Sequence, residues 1–485
     1  MPSFKKEIAK GVFWIGLAKY SGIAIHLLIT AILARLISPA AFGTVALATV
    51  VLHFLIILAD IGIGPAIVQY KQLTKRHLNS LFTLNTYIAI VLSLVLFFLS
   101  DAISVYYADE TLDHVCQLMV LVIFFHSLNV VPNALMRRDK RFKTIAYRTV
   151  SFQILSGSIA VWGAFHGWGI YALLVSPMMT AVGVFGVNYY NYPLRLVLHM
   201  DKAAVKMISS FSIFQFAFTF FNYFSRNLDK LIIGKFFSMT QLGYYDKSYH
   251  LMLMPVQNIT FVIGPVLHPI LSTLQDNKKE LSNKNIKLAR FISYLSFPIG
   301  LILYFCGDEL IKIVYGNRWD AAIPVFKILA LSLPLQMIQS TSGAIYLAAG
   351  KTKHMFYNGI INTTVTVLGF LIAAIYCNSI EAMAWAWVIT LAINFMNSYQ
   401  ILYRYSLKSG VLSFYRAIVP QVVNSIVVYI ILVLLCSILT SGFLFFDLIW
   451  KALTIVVLTF ISAFFLNQYN ILIIVKTYIS RIVKK

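Results

Sequence analysis

Stretches of about twenty mainly apolar residues, the length that carries a helix across a hydrocarbon layer, recur from Gly11 to Phe465 with only short polar breaks. They predict about fourteen spans, near 11–36, 41–66, 79–100, 115–134, 145–165, 170–190, 207–234, 243–270, 289–306, 323–346, 356–377, 381–402, 417–438 and 448–466. No break is longer than about twenty residues, too short for an extramembrane domain of ordinary size. Whatever the protein does, the spans have to do it.

Composition agrees: 60% of the 485 residues are hydrophobic, 12% are charged, and the mean hydropathy is +0.81. A net charge of +22 would suit a nucleic-acid binder only if the basic residues gathered on one solvated surface. Here they lie in breaks between apolar runs, as the positive-inside rule requires of cytoplasmic segments. Lys5, Lys6, Lys10, the run from Arg137 to Lys143, Lys278, Lys279 and the Lys476–Lys485 tail then face the cytoplasm with both termini. The break holding Asp101, Asp109, Glu110 and Asp113 has no Lys or Arg and is expected outside. The first apolar run is interrupted by Lys19 and continues too far for a cleaved signal peptide. Cys116, Cys306, Cys377 and Cys436 have neither metal-ligand spacing nor the density of a disulfide framework, and are expected to be free, buried thiols.

At an offset of 200 residues the chain matches itself without a gap: Ser38 with Ser238, Gly43 with Gly243, and Ile63-Gly64-Pro65 with Ile263-Gly264-Pro265. An even number of helices per half makes such a repeat parallel. The expected organisation is two pseudo-symmetric six-helix lobes, 1–200 and 201–405, followed by two further helices and a basic tail over 406–485. Two bundles facing across a central cavity are a transporter's architecture, and no cofactor is called for.

Ionisable groups inside a bilayer cost about 2.5–3.5 kcal/mol each on insertion scales, so the few present are informative. In the seventh span Ser212, Gln215, Thr219, Asn222, Arg226 and Asp229 follow one another at helical spacing and form one polar stripe. The first span carries a sparser version, Lys19, His26 and Thr30, with Gly22 between the first two. On one reading Lys19, His26 and Arg226 make a central cavity cationic and attract a phosphate, with Arg226 suited to bidentate contact; Gln215, Asn222 and Asp229 would line the same path. On the other, Arg226 pairs with Asp229 at i,i+3 and Lys19 snorkels to an interface. Lys230, Lys235, Asp246 and Lys247 gather near an outer end, where solvated ion pairs are expected. Gly350-Lys351-Thr352 resembles the end of a phosphate-binding loop, but Ile345 stands where that loop needs glycine. Six of the tryptophans lie near predicted outer boundaries as an aromatic belt; Trp319 could also serve as a sugar platform.

Ala-Arg-Leu-Ile-Ser-Pro at 34–39, Phe42-Gly43 and Ala59-Asp60-Ile61-Gly62-Ile63-Gly64 resemble the Wzx-type polysaccharide flippases of the multidrug/oligosaccharidyl-lipid/polysaccharide exporter superfamily. So do Arg226-Asn227-Leu228-Asp229-Lys230 with the five residues after it, Leu242-Gly243-Tyr244-Tyr245, and Tyr315-Gly316-Asn317-Arg318-Trp319, in the expected order over residues 10–400. The resemblance implies a bacterial inner-membrane exporter with an undecaprenyl-pyrophosphate-linked oligosaccharide as substrate. It further implies alternating access without ATP, contact with membrane lipids, and a polysaccharide polymerase as a partner. A drug or cation antiporter of the same fold would want an intramembrane carboxylate in span one, where 11–36 has none. A membrane-embedded polymerase would need convergent acids that the outer breaks do not offer, so no enzyme is expected.

Overall fold

A computed structural model describes residues 2–70, 72–197, 201, 223, 226–275, 277–439 and 442–465, and among them every regular element is helical. The chain divides into two compact units, Met1–Gly243 and Tyr244–Lys485.

The first unit holds α1 (Pro2–Leu36), α2 (Pro39–Asp60), α3 (Ile63–Gln69), α4 (Lys75–Tyr107), α5 (Glu110–Leu128), α6 (Val130–Arg138), α7 (Phe142–Phe165), α8 (Ile170–Asn191) and α9 (226–236). It also holds the first turn of α10 (Met239–Ser272). The second holds the rest of α10, then α11 (Lys278–Phe305), α12 (Gly307–Val314), α13 (Ala322–Ala330), α14 (Leu333–Gln339), α15 (Ser342–Ala348), α16 (Thr352–Ile372), α17 (Ile380–Ile401), α18 (Leu412–Ile438) and α19 (Leu444–Phe465).

Ten described helices are long and apolar enough to cross a membrane, or eleven if α13 and α14–α15, bent by 45° at their junction, count as one span. This is a multi-pass membrane protein. Of the fourteen predicted spans, 207–234 falls largely outside the described residues, whereas 145–165 and 243–270 correspond to α7 and α10, both of crossing length. Large apolar side chains such as Phe98 and Val105, each 73% exposed, cover the outside, as they must where lipid is the solvent.

The sequence motifs acquire physical reasons here. Ser38 caps α2, its Oγ accepting from the Ala41 amide, and Pro39 takes the first helical position, where a missing N–H costs nothing. The predicted span 41–66 is not continuous: Ile61 (φ 39°) and Gly62 (φ 75°) are both left-handed and break it into α2 and α3. Asp60 Oδ1 accepts the Gly64 amide at 2.9 Å and covers an otherwise orphaned donor of α3. The span at 115–134 likewise breaks, at Asn129, between α5 and α6. A compact apolar cluster including Ile63, Ile67, Leu81, Val131 and Leu135 locks the short helices α3 and α6 against α4.

Gly43 and Gly243 explain their shared offset. A Cβ on Gly43 would lie 1.8 Å from the Met239 carbonyl oxygen, and one on Gly243 would lie 2.1 Å from that of Pro39. The contact is reciprocal, each glycine admitting the first residue of the other helix, so both helix starts must be bare at that position.

In the second unit the last two helices are anchored on α11 and α12. Leu301, Val428, Leu432 and Ile455 form one cluster, and beside it Lys451 Nζ meets Glu309 Oε1 at 2.5 Å with both side chains nearly buried. Removing one partner of a buried pair strands the other, at about 3–5 kcal/mol. Glu309→Gln is therefore expected to lower the thermal unfolding midpoint in detergent sharply, while Glu309→Gln with Lys451→Met recovers most of the loss. Equal midpoints for the single and double variants would show that the pair does not hold α19.

Candidate functional site

In α1, a 35-residue helix, Lys19 is half-buried and His26 exposed. Gly22 between them is buried: Gln153 of α7 fills the space beside it and donates to its carbonyl at 3.0 Å, and seven residues on Ile29 packs on Gly157 of α7. That seam binds α1 to α7. At 100° per residue Lys19 and His26 stand about 40–80° round the helix from Gly22 and Ile29, both to the same side, so they lie beside the packed seam.

On α9 Arg226 is exposed, whereas Asp229, one turn later, is 2% exposed and its Oδ1 accepts the Lys230 amide at 2.8 Å. Tyr223, one turn before Arg226, donates its hydroxyl to the Val50 carbonyl at 2.5 Å and ties this segment to the middle of α2. Gln215 and Asn222, with Ser212 and Thr219, lie outside the described residues.

Lys230 is 8% exposed, not a solvated end group. His53 of α2 lies near it, and His126 of α5 lies near His53, so side chains of three helices come together here, with both imidazoles exposed. Reading along the sequence passes over His53 and His126, although the signal is there: each is an ionisable residue in an otherwise apolar run. At the far end of α9 the Lys235 ammonium donates to the Tyr106 carbonyl at 2.6 Å and sits 4.0 Å from the Tyr106 ring centre, a cation–π seat.

Other expectations change too. Asp246 pairs with Lys247 (3.3 Å) and His250 (3.5 Å), and its side chain is only 4% exposed, so a buried carboxylate anchors the group although the His250 side chain is exposed. Trp319 is fully buried between Tyr244 and Tyr315, neither belt nor sugar platform. Of the cysteines, Cys116 and Cys306 are buried as expected, but Cys377 is exposed and Cys436 partly so. Gly350 takes a left-handed turn (φ 67°) between α15 and α16, which accounts for it without a nucleotide. Among the described residues no group of three or more His, Cys, Asp and Glu could hold a metal ion.

Lysine and arginine side chains thus sit on apolar helices of the first unit, where they can attract an anion. Residues 32–324 match the family model described as "Polysaccharide biosynthesis protein". The chain is 24% identical to the teichuronic acid biosynthesis protein TuaB of Bacillus subtilis (strain 168) over 86% of each chain. It is also 24% identical to the lipopolysaccharide biosynthesis protein WzxC of Escherichia coli (strain K12), over 87% of this chain and 88% of the other. Among solved structures, a lipid II flippase MurJ in an inward closed conformation superposes with a TM-score of 0.73 at 15% identity, covering 95% of this chain and all of that one. At that identity the likeness establishes the fold.

Proposed function

We propose, from the premise that the chain belongs to the polysaccharide biosynthesis protein family, that it carries undecaprenyl-pyrophosphate-linked oligosaccharide repeat units from the cytoplasmic to the outer leaflet of a bacterial inner membrane. The observation that carries this reading is the set of basic side chains on apolar helices of the first unit: Lys19, His26, Arg226 and Lys230. A pyrophosphate leaving water needs its lost hydration replaced, and fixed guanidinium and ammonium groups replace it with charge-assisted hydrogen bonds. The polyprenyl tail needs no site, since the bilayer already solvates it.

The chemistry is transfer, not catalysis. The head group enters from the cytoplasmic side and leaves on the outer side by alternating access. Lys19 and Arg226 are the two groups we assign to the pyrophosphate, with Gln215, Asn222 and Asp229 along the sugar path. A polysaccharide polymerase would consume the product on the outer side. Deleting the gene is expected to abolish the surface polysaccharide and to accumulate lipid-linked repeat units in the inner leaflet; normal surface polymer in the deletion strain would sink the proposal.

The orientation follows from charge. Tags placed between α10 and α11 and at the C-terminus are expected to report cytoplasm, and a tag between Asp101 and Asp113 the outside. Both ends of the chain reporting outside would overturn it.

A further inference from the structure

One buried cation in the first unit is not used by that pathway. Arg148, the seventh residue of α7, is 9% exposed, and its Nη2 donates to Asn133 Oδ1 of α6 at 2.8 Å. Its Nε and Nη1 are buried with no hydrogen-bond partner. A second guanidinium, that of Arg137 at the end of α6, is close enough to repel it and is itself exposed. The nearby carboxylate, Asp60, also acts on Arg137, but its Oδ1 is occupied by the Gly64 amide. Arg148 therefore keeps donors to spare.

An unmet buried guanidinium is costly unless an anion meets it, and among the described residues no carboxylate acts on Arg148.

We infer that Arg137 and Arg148, held between α6 and α7, form a binding site for a lipid-borne phosphate at the basic-loop end of the first unit. Arg148 lies about 10 Å along α7 from its start, a depth that a headgroup phosphate reaches, and the guanidinium fork suits phosphate oxygens. Arg138 at the end of α6, Lys140 and Arg141 in the adjoining loop and Lys143 in the first turn of α7 draw anionic headgroups toward it. Phosphate could come from the polyprenyl pyrophosphate of the substrate or from an anionic phospholipid. Only the first source rests on the transport reading above.

The test uses the full chain in phosphatidylcholine nanodiscs, titrated separately with undecaprenyl pyrophosphate and with phosphatidylglycerol while binding is followed by native mass spectrometry. The wild type is expected to bind at least one of them, and Arg148→Gln and Arg137→Gln each to weaken that binding by roughly tenfold or more. Arg226→Ala should leave phosphatidylglycerol binding unchanged, which separates this site from the transport path. Loss of undecaprenyl pyrophosphate alone marks a substrate entry point and loss of phosphatidylglycerol alone a lipid seat; either supports the site. If Arg148→Gln fails to accumulate, exposed Arg137→Gln decides. Wild-type binding of both lipids by Arg137→Gln, or binding of neither by the wild type, overturns the inference. If export also fails to depend on the gene, the transport reading falls separately.

Discussion

Gly43→Val is expected to remove nearly all mature protein from the membrane, and Gly243→Val to do the same. The Cβ position at Gly43 is 1.8 Å from a backbone carbonyl oxygen, and a carbonyl cannot rotate aside as a side chain can. Either α2 or the first turn of α10 has to move by more than an ångström, which places the change among the rare substitutions costing about 4 kcal/mol or more. Gly43→Ala should already do most of the damage. Gly359→Ala supplies the comparison, because nothing lies within 4 Å of a Cβ there and alanine favours a helix interior. Membrane-inserted protein and thermal midpoint, measured for all four, decide the matter: Gly43→Ala behaving like Gly359→Ala would mean that the two helix starts do not touch as described.

Arg226→Ala and Lys19→Ala are expected each to cut export by roughly tenfold or more, the loss of a charge-assisted hydrogen bond of about 1.5–3 kcal/mol, while membrane abundance stays near normal. Arg226→Lys should recover only in part, because a planar fork is replaced by a point charge. The competing role, a structural pair of Arg226 with Asp229, makes a different forecast. In that case Asp229→Ala harms export as much as Arg226→Ala, and the double variant is no worse than either. Their surroundings favour separate roles: the arginine is exposed, whereas the aspartate is buried and accepts the Lys230 amide. Surface polysaccharide and protein level in the three variants separate the cases, and full export by well-inserted Arg226→Ala and Lys19→Ala proteins would remove the basis for a cationic path.

The spans were legible because lipid imposes one simple demand, some twenty apolar residues in a row, and the chain meets it repeatedly. The glycine matches at offset 200 were legible for a comparably blunt reason: two backbones at van der Waals distance admit no side chain. Breaks inside apolar runs were not. The end of α2 depends on left-handed backbone at Ile61 and Gly62 and on a carboxylate reaching an amide, none of which alters hydropathy. Charge was legible as a count but not as a place. Lys230 and Asp246 look like surface groups near a span end and are buried, while His53 and His126, lone in apolar stretches, declare their neighbours only once α2 and α5 are folded. Trp319 shows the same limit: a tryptophan in a loop between spans turns out to be fully enclosed by the loop's own tyrosine and one from α10.

The reciprocity at Gly43 and Gly243 has a bearing on ancestry. A contact in which residue 43 admits residue 239 while residue 243 admits residue 39 is self-complementary, the kind that two copies of one polypeptide make across a dyad. Such a junction needs a single solution used twice. A half-length ancestor carrying one serine-proline helix start and one glycine four residues on would already possess both sides of it, and fusing two genes would add a covalent link without inventing a new surface. After such a fusion the halves would be free to diverge elsewhere, but neither glycine could drift alone.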